Sequence, residues 1–272
     1  MNVLQLFIIS GLAIFLLALV LKVVVEPFYV LVFNKPLYVH WYPYSRKLTT
    51  IQQKILHDEF IFYRKLNASR KQYFEHRVAT FLKKYPFYGK DGFVVTDQSK
   101  VLIAATFVML TFGMRYYLID VFNKIIVYPQ SYFSTINQEN HKGEFNARLK
   151  TLVFSWQDFQ EGFSNTSDNL NLGLHEFSHA LHFHGLKSRD QSSIVFADAY
   201  DELREYLKRP EIVKQLIASS YFRIYAFTNQ IEFVAVVLEH FFETSSAFKQ
   251  EFPELHNIVK RMINFNESDM HT

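Results

Sequence analysis

The chain has 272 residues, 49% of them hydrophobic and 17% aromatic, with only 8 Gly and 7 Pro, which excludes a disordered or fibrous chain and allows one large domain with its own core. Net charge is +3 from 29 basic and 26 acidic residues, with no basic stripe interleaved with aromatic residues, so direct contact with nucleic acid is not expected. Cysteine is absent, which removes disulfides, thiolate ligands and a cysteine nucleophile, and fits a reducing compartment.

Residues 3–25 read VLQLFIISGLAIFLLALVLKVVV, broken only by Gln5 near one end and Lys22 near the other. About 20 apolar residues span a bilayer as a helix, and Lys22 can snorkel to the interface. No Lys or Arg precedes the run and no small-x-small site follows it, which argues against a cleaved signal peptide. Lys22, Lys35, Arg46 and Lys47 all follow it. The positive-inside rule then predicts a single-pass protein of the inner (cytoplasmic) membrane with its main domain in the cytoplasm. Residues 26–50 form an aromatic, proline-punctuated juxtamembrane segment containing Phe28, Tyr29, Phe33, Tyr38, Trp41, Tyr42 and Tyr44. Such rings suit either the headgroup layer or ordinary packing.

Residues 51–272 make the main domain. Phe60, Tyr63, Leu66 and then Tyr73, Val78, Phe81 recur at helical spacing across residues 50–85. Gly89 and Gly92 mark a turn, and residues 93–96 read as a short strand. Residues 98–112 predict a buried helix ended by Gly113, too short for a second span. Two β-branched runs, residues 124–128 and 151–156, predict strands on either side of a polar loop at 134–148. Helices are expected over 168–184 (stopped by Gly185 and capped by Asp168 or Asn169), over 196–219 and over 229–245. Helices with a few strands, not strictly alternating, predict an α+β domain.

Within the first of these helices lies His175-Glu176-Phe177-Ser178-His179. Residues four apart share one helix face, so both imidazoles can reach one ion. Glu176 lies about 100° round the helix, where a carboxylate can take a proton from water activated by zinc. Leu174, Phe177 and Leu181 give that helix an apolar side to bury. A catalytic zinc site needs a third protein ligand and one open position. Glu232 and Glu239 are candidates, seven apart on one side of a predicted helix, and spacing alone does not choose between them. Asn229 and Glu232 could also form a capping-box-like helix start that leaves Glu232 solvated.

These residues resemble a known family. LHEFSHALH, the run from Tyr225 through Glu232 to Val236, and Glu239-His240-Phe241-Phe242-Glu243 are similar to the Mlc titration factor A family of zinc-dependent, gluzincin-like peptidases. Residues 92–97, the helix from Val101, Val127-Tyr128-Pro129 and residues 152–156 add to the likeness, which covers about 55–260 and leaves out the apolar N-terminal run. The resemblance implies a zincin-like domain, mostly helical with a small sheet, holding one Zn2+ through His175, His179 and Glu232. It implies Glu176 as general base and Tyr225, seven residues before Glu232, as donor to the developing oxyanion. Glu239 then becomes a supporting or packing acid. Family members usually carry aspartate where this chain has His182; that side chain and His184 are expected to stay off the metal, with His184 facing solvent.

The expected activity is zinc-dependent hydrolysis of peptide bonds, as an aminopeptidase or short-peptide peptidase, by a domain anchored in the bilayer through residues 3–25. One of the two strands, 124–128 or in preference 151–156, is expected to pair with an extended substrate. The alternative is a membrane-tethered protein that sequesters a transcriptional regulator with little or no hydrolysis.

Overall fold

The computed structural model describes residues 2–134, 139–165 and 167–270. Helices α1 (Val3–Val20) and α2 (Glu26–Phe33) are joined by a π-helical stretch, Leu21–Val25, into one continuous 31-residue apolar helix. No side chain of α1 is buried. The helix therefore runs past the boundary expected at Val25 and takes in the first part of the juxtamembrane segment. Pro27 does not end it, because the widened turn just ahead makes room for a ring that would otherwise meet the preceding turn. Asn34, left-handed at φ 47°, does end it.

The main domain opens with α3 (Thr50–Glu59), α4 (Ile61–Lys65) and α5 (Ala68–Lys84). Thr49 and Asn67 cap α3 and α5 by accepting from backbone amides of the first turn. Next come β1 (Phe87–Gly89), α6 (Asp97–Leu110), β2 (Lys124–Tyr128), β3 (Tyr132–Ser134), β4 (Glu139–His141), β5 (Gly143–Asn146) and β6 (Thr151–Ser155). One four-stranded sheet has the order β1-β2-β6-β5, with β1, β2 and β6 parallel and β5 antiparallel at its edge; β3 and β4 pair separately. Two expectations are corrected here. The polar loop at 134–148 carries β4 and β5, although 135–138 lie outside the described residues. The strand expected at 93–96 is loop, and 87–89 take the place beside β2. Asp91 and Gly92 both have positive φ and fold Phe93 back so closely that a Cβ on Gly89 would overlap its carbonyl.

The second half is helical: α7 (Trp156–Ser164), α8 (Leu172–Lys187), α9 (Gln191–Leu207), α10 (Pro210–Ala218), a 3-10 turn at Ile224–Phe227, α11 (Gln230–Glu243), α12 (Ser245–Glu251) and α13 (Pro253–Met262). The single helix expected over 196–219 is thus two, because Pro210 cannot donate into a continuing helix and opens α10 instead. Gly185 does not stop α8. It lies inside the helix, where a Cβ would overlap the Phe196 ring, so its bareness lets α9 pack close. The cap also differs: Asn171, not Asp168 or Asn169, accepts from Leu174 N at 2.9 Å.

Helix α8 runs through the middle of the domain, packed on α11, α9 and α6. Phe177 supplies the apolar contact expected of it, meeting Phe107 at 5.0 Å and Phe154 at 5.4 Å between ring centroids. Burying rings of this size supplies roughly 2–3 kcal/mol each and locks the rotation of α8 about its axis. That rotation decides which face His175 and His179 present. The domain is α+β, mostly helical with a small mixed sheet.

Candidate metal centre

The site is built where α8 crosses the start of α11. His175 and His179 lie one turn apart on α8, with ring centroids 4.6 Å apart and planes at 83°. Asn229 caps α11, its side chain accepting from Ile231 N and Glu232 N at 2.9 and 3.0 Å. The cap satisfies the Glu232 backbone and leaves its carboxylate to turn toward the histidines. Glu232 Oε2 lies 3.1 Å from His175 Nε2 and 3.5 Å from His179 Nε2. One donor atom from each of the three residues falls within 4.8 Å of the others.

These separations fit an ion. Ligands about 2.0–2.2 Å from a tetrahedral metal lie roughly 3.3–3.6 Å from one another. Glu232 Oε2 is buried with no hydrogen-bond partner, although both imidazole nitrogens are near, so it is aimed at the space between them rather than at either ring. Burial alone would lower the His175 imidazole, but the carboxylates of Glu232 and Glu239 on its two sides outweigh it and push it up to about 9. Burial and the charge on His175 push His179 down to about 4. Burial would raise Glu232, but the two histidines and Tyr225 outweigh it and hold the carboxyl below its ordinary value.

Glu176 points from the same helix toward the edge of the sheet. Its Oε2 accepts from Phe145 N of β5 at 2.9 Å, and burial pushes the carboxyl up to about 7. Gly143 makes this approach possible, because a Cβ there would crowd the Glu176 side chain. The strand expected to meet substrate is corrected by the same geometry. Strand β6 is paired on both sides, with β2 and with β5, and has no free edge. Among the described residues the edge of the sheet on the Glu176 side is β5, whose Phe145 amide Glu176 already takes.

Tyr225 stands on the 3-10 turn, 47% exposed, with its ring centroid 6.0 Å from that of His175. Burial, followed by the charge on Glu232, pushes its phenol up to about 12. Glu239 lies on the other side of His175. It is buried, and its Oε1 meets His175 Nδ1 at 2.8 Å. Arg223 grips both Glu239 oxygens, at 2.5 and 3.0 Å, and donates to Asn169 O at 2.6 Å. A carboxylate on Nδ1 fixes the ring's orientation and leaves Nε2 free for a ligand role. The sequence reading did not pick out Arg223, which stands in no motif and is brought to Glu239 only by the turn before α11. A cavity of about 620 Å³ opens on this side, lined by His175, Arg223, Glu239, Asp158 and Asp168 among others.

The remaining histidines of α8 point elsewhere. His182 packs edge-on against Tyr200 at 4.7 Å, and burial lowers its imidazole. His184, expected in solvent, instead meets Asp190 at 3.2 Å. Asp190 caps α9 and lies at the end of the α8–α9 connection, which brings the two together.

The sequence profile described as glucose-regulated metallo-peptidase M90 matches residues 42–263. The chain belongs to that metallopeptidase family. The matched region begins after the N-terminal helix and takes in the whole α8–α11 centre. An uncharacterized protein of Synechocystis sp. is 26% identical over 255 residues, which span 84% of this chain and 85% of the relative. Membership of the M90 family implies a metal, and the His175–His179–Glu232 group is a set of donors that could hold one.

Proposed function

We propose that the chain is a membrane-anchored, zinc-dependent peptidase acting on short peptides or on amino-terminal residues. The observation that carries this reading is the convergence of His175 Nε2, His179 Nε2 and Glu232 Oε2 at ligand spacing, with the Glu176 carboxylate on the next face of the same helix. In this reading those three residues hold the ion. Two imidazoles and one carboxylate suit zinc and leave a position for substrate or water. When bound, zinc supplies Lewis acidity toward a water and a peptide carbonyl.

The rest is the work of side chains. Glu176 takes a proton from the attacking water and returns it to the leaving amine. The Phe145 amide holds that carboxylate in place. Tyr225 is partly exposed at the cleft and can move from Glu232 to donate to the oxyanion. Glu239, backed by Arg223, keeps His175 oriented. The edge strand β5 offers main-chain groups to an extended peptide, which gives binding with little demand on sequence. Residues 3–25 cross the bilayer, and the basic residues that follow them put the domain on the cytoplasmic side.

The test is digestion of a peptide library by the full chain in detergent, with and without chelator, beside Glu176→Gln. Chelator-sensitive cutting that Glu176→Gln abolishes is expected, and the cut positions report exo- or endo-action. A chain that loads zinc but cuts nothing, while capturing a regulator equally well as Glu176→Gln, would replace this reading with the sequestering one.

A further inference from the structure

By sequence, residues 26–50 are an aromatic juxtamembrane segment whose rings suit either the headgroup layer or packing on the domain. The fold makes residues 34–48 part of the domain. Arg77 is fully buried and donates to the carbonyls of Val39, Thr111, Phe112 and Met114 and to the Tyr42 hydroxyl. Tyr42 stacks on His76, and His40 stacks on Tyr73 at 5.0 Å. A second arginine joins this segment to the helix itself. Arg115 pairs with Glu26 at 2.7 Å and donates to Leu37 O at 2.9 Å. Gln191 of α9 donates to the other Glu26 oxygen at 3.3 Å.

These contacts fix a height. If the hydrocarbon layer holds about 20 helical residues from Val3, it ends near Lys22. Glu26, four residues on, lies about 6 Å beyond, at headgroup depth. The helix climbs roughly 10 Å more to Phe33, and Asn34 then turns the chain over. Arg115 holds Leu37 O and Glu26 together, so the segment has come back to the level of Glu26. Trp41, four residues further, is within about 14 Å of Leu37.

What the segment leaves outside matches that depth. Val39 and Tyr42 are held inward, while Tyr38 (54% exposed), Trp41 (68%) and Tyr44 (91%) face out, spaced three apart. Lys35, Arg46 and Lys47 are exposed among them. Amphipathic rings and cations together suit the interface of an anionic bilayer. We propose that residues 34–47 form a shelf lying on the anionic headgroup layer of the leaflet from which α2 emerges, so that the domain is seated on the membrane rather than swinging from a tether. This rests on the reading of residues 3–25 as a membrane anchor.

Two tryptophans, Trp41 and Trp156, make the test direct. The full-length Trp156→Phe variant, with Trp41 as sole reporter, is reconstituted into phosphatidylcholine–phosphatidylglycerol vesicles carrying lipid brominated near the headgroup. The shelf predicts that Trp41 emission shifts to the blue and loses most of its intensity, and that Lys35→Glu, Arg46→Glu and Lys47→Glu together restore it. A separate variant, Phe15→Trp with both native tryptophans replaced by Phe, reports on the anchor with lipid brominated deep in the chains. If Phe15→Trp is not quenched, the anchor reading fails and the shelf with it. If it is quenched but Trp41 answers only to aqueous acrylamide, the shelf alone is overturned. Quenching of Trp41 that ignores the charge reversals overturns the anionic assignment.

Discussion

Glu239 and Glu26 are both buried carboxylates set against an arginine, and they hold different things. Glu239 takes Arg223 on both oxygens and still meets His175 Nδ1, so its charge is committed to the aim of one imidazole. Glu26 takes Arg115 on one oxygen and Gln191 on the other, so its charge ties the apolar helix to α9. Removing charge from either leaves a partly buried cation without its partner, which costs more than the pair itself is worth. The difference is in what the partner does next. Behind Glu239 stands the His175 imidazole, and behind Glu26 stands a whole helix. The first should be felt in chemistry and the second in stability.

The sharpest contrast comes from the group that both leave untouched. Glu176→Gln should lower peptide turnover about 10²–10⁴-fold while bound metal stays stoichiometric, read by steady-state kinetics beside metal analysis. Glu239→Gln should weaken metal binding about 10–100-fold, measured by competition with a chromophoric chelator, with turnover recovering at saturating metal. Unchanged affinity there would show that Glu239 is only a packing acid. Glu26→Ala should cost about 2 kcal/mol of stability, below the usual range for a broken buried pair because Arg115 is partly exposed. Its turnover per folded molecule should match the parent, and a loss of turnover would blur the division.

The smallest effect comes from Asp190, which anchors the turn between α8 and α9. Burial would raise its carboxyl, but hydrogen bonds from His184, Ser188 and Ser193 outweigh it and hold it down to about 2. A depressed carboxyl stabilises the fold above its unfolded pKa and loses that contribution as pH falls through the folded value. Asp190→Asn should therefore cost about 1–2 kcal/mol at neutral pH, and the cost should fade between about pH 4 and 2. A pH-independent difference in thermal unfolding would remove the charge from this explanation.

Much of the molecule was legible as pattern. The apolar N-terminal run, the buried helix near 98–112, the strands at 124–128 and 151–156, and the helix around His175 each follow from local composition and period. Some errors fell where a distant segment decides, and others, as at Pro210, where a local break was passed over. Gly185 reads as a stop until Phe196 is seen against it, and residues 93–96 read as a strand until Asp91 and Gly92 turn them away from β2. Residues 151–155 are a strand, but only sheet order reveals that β6 is interior and that β5 holds the edge.

By itself the sequence determined that His175 and His179 share a face and that Glu176 stands beside them, because a helix repeats every 3.6 residues wherever it is placed. It could not choose between Glu232 and Glu239, since both lie on one side of α11. Tertiary packing separated them: the crossing of α8 and α11 sets Glu232 against the Nε2 atoms and Glu239 against Nδ1 of the same ring. It also brought in Arg223 and the Phe145 amide, which no spacing announces. Local period is written into neighbouring residues, whereas the angle between two helices is set by the side chains buried between them.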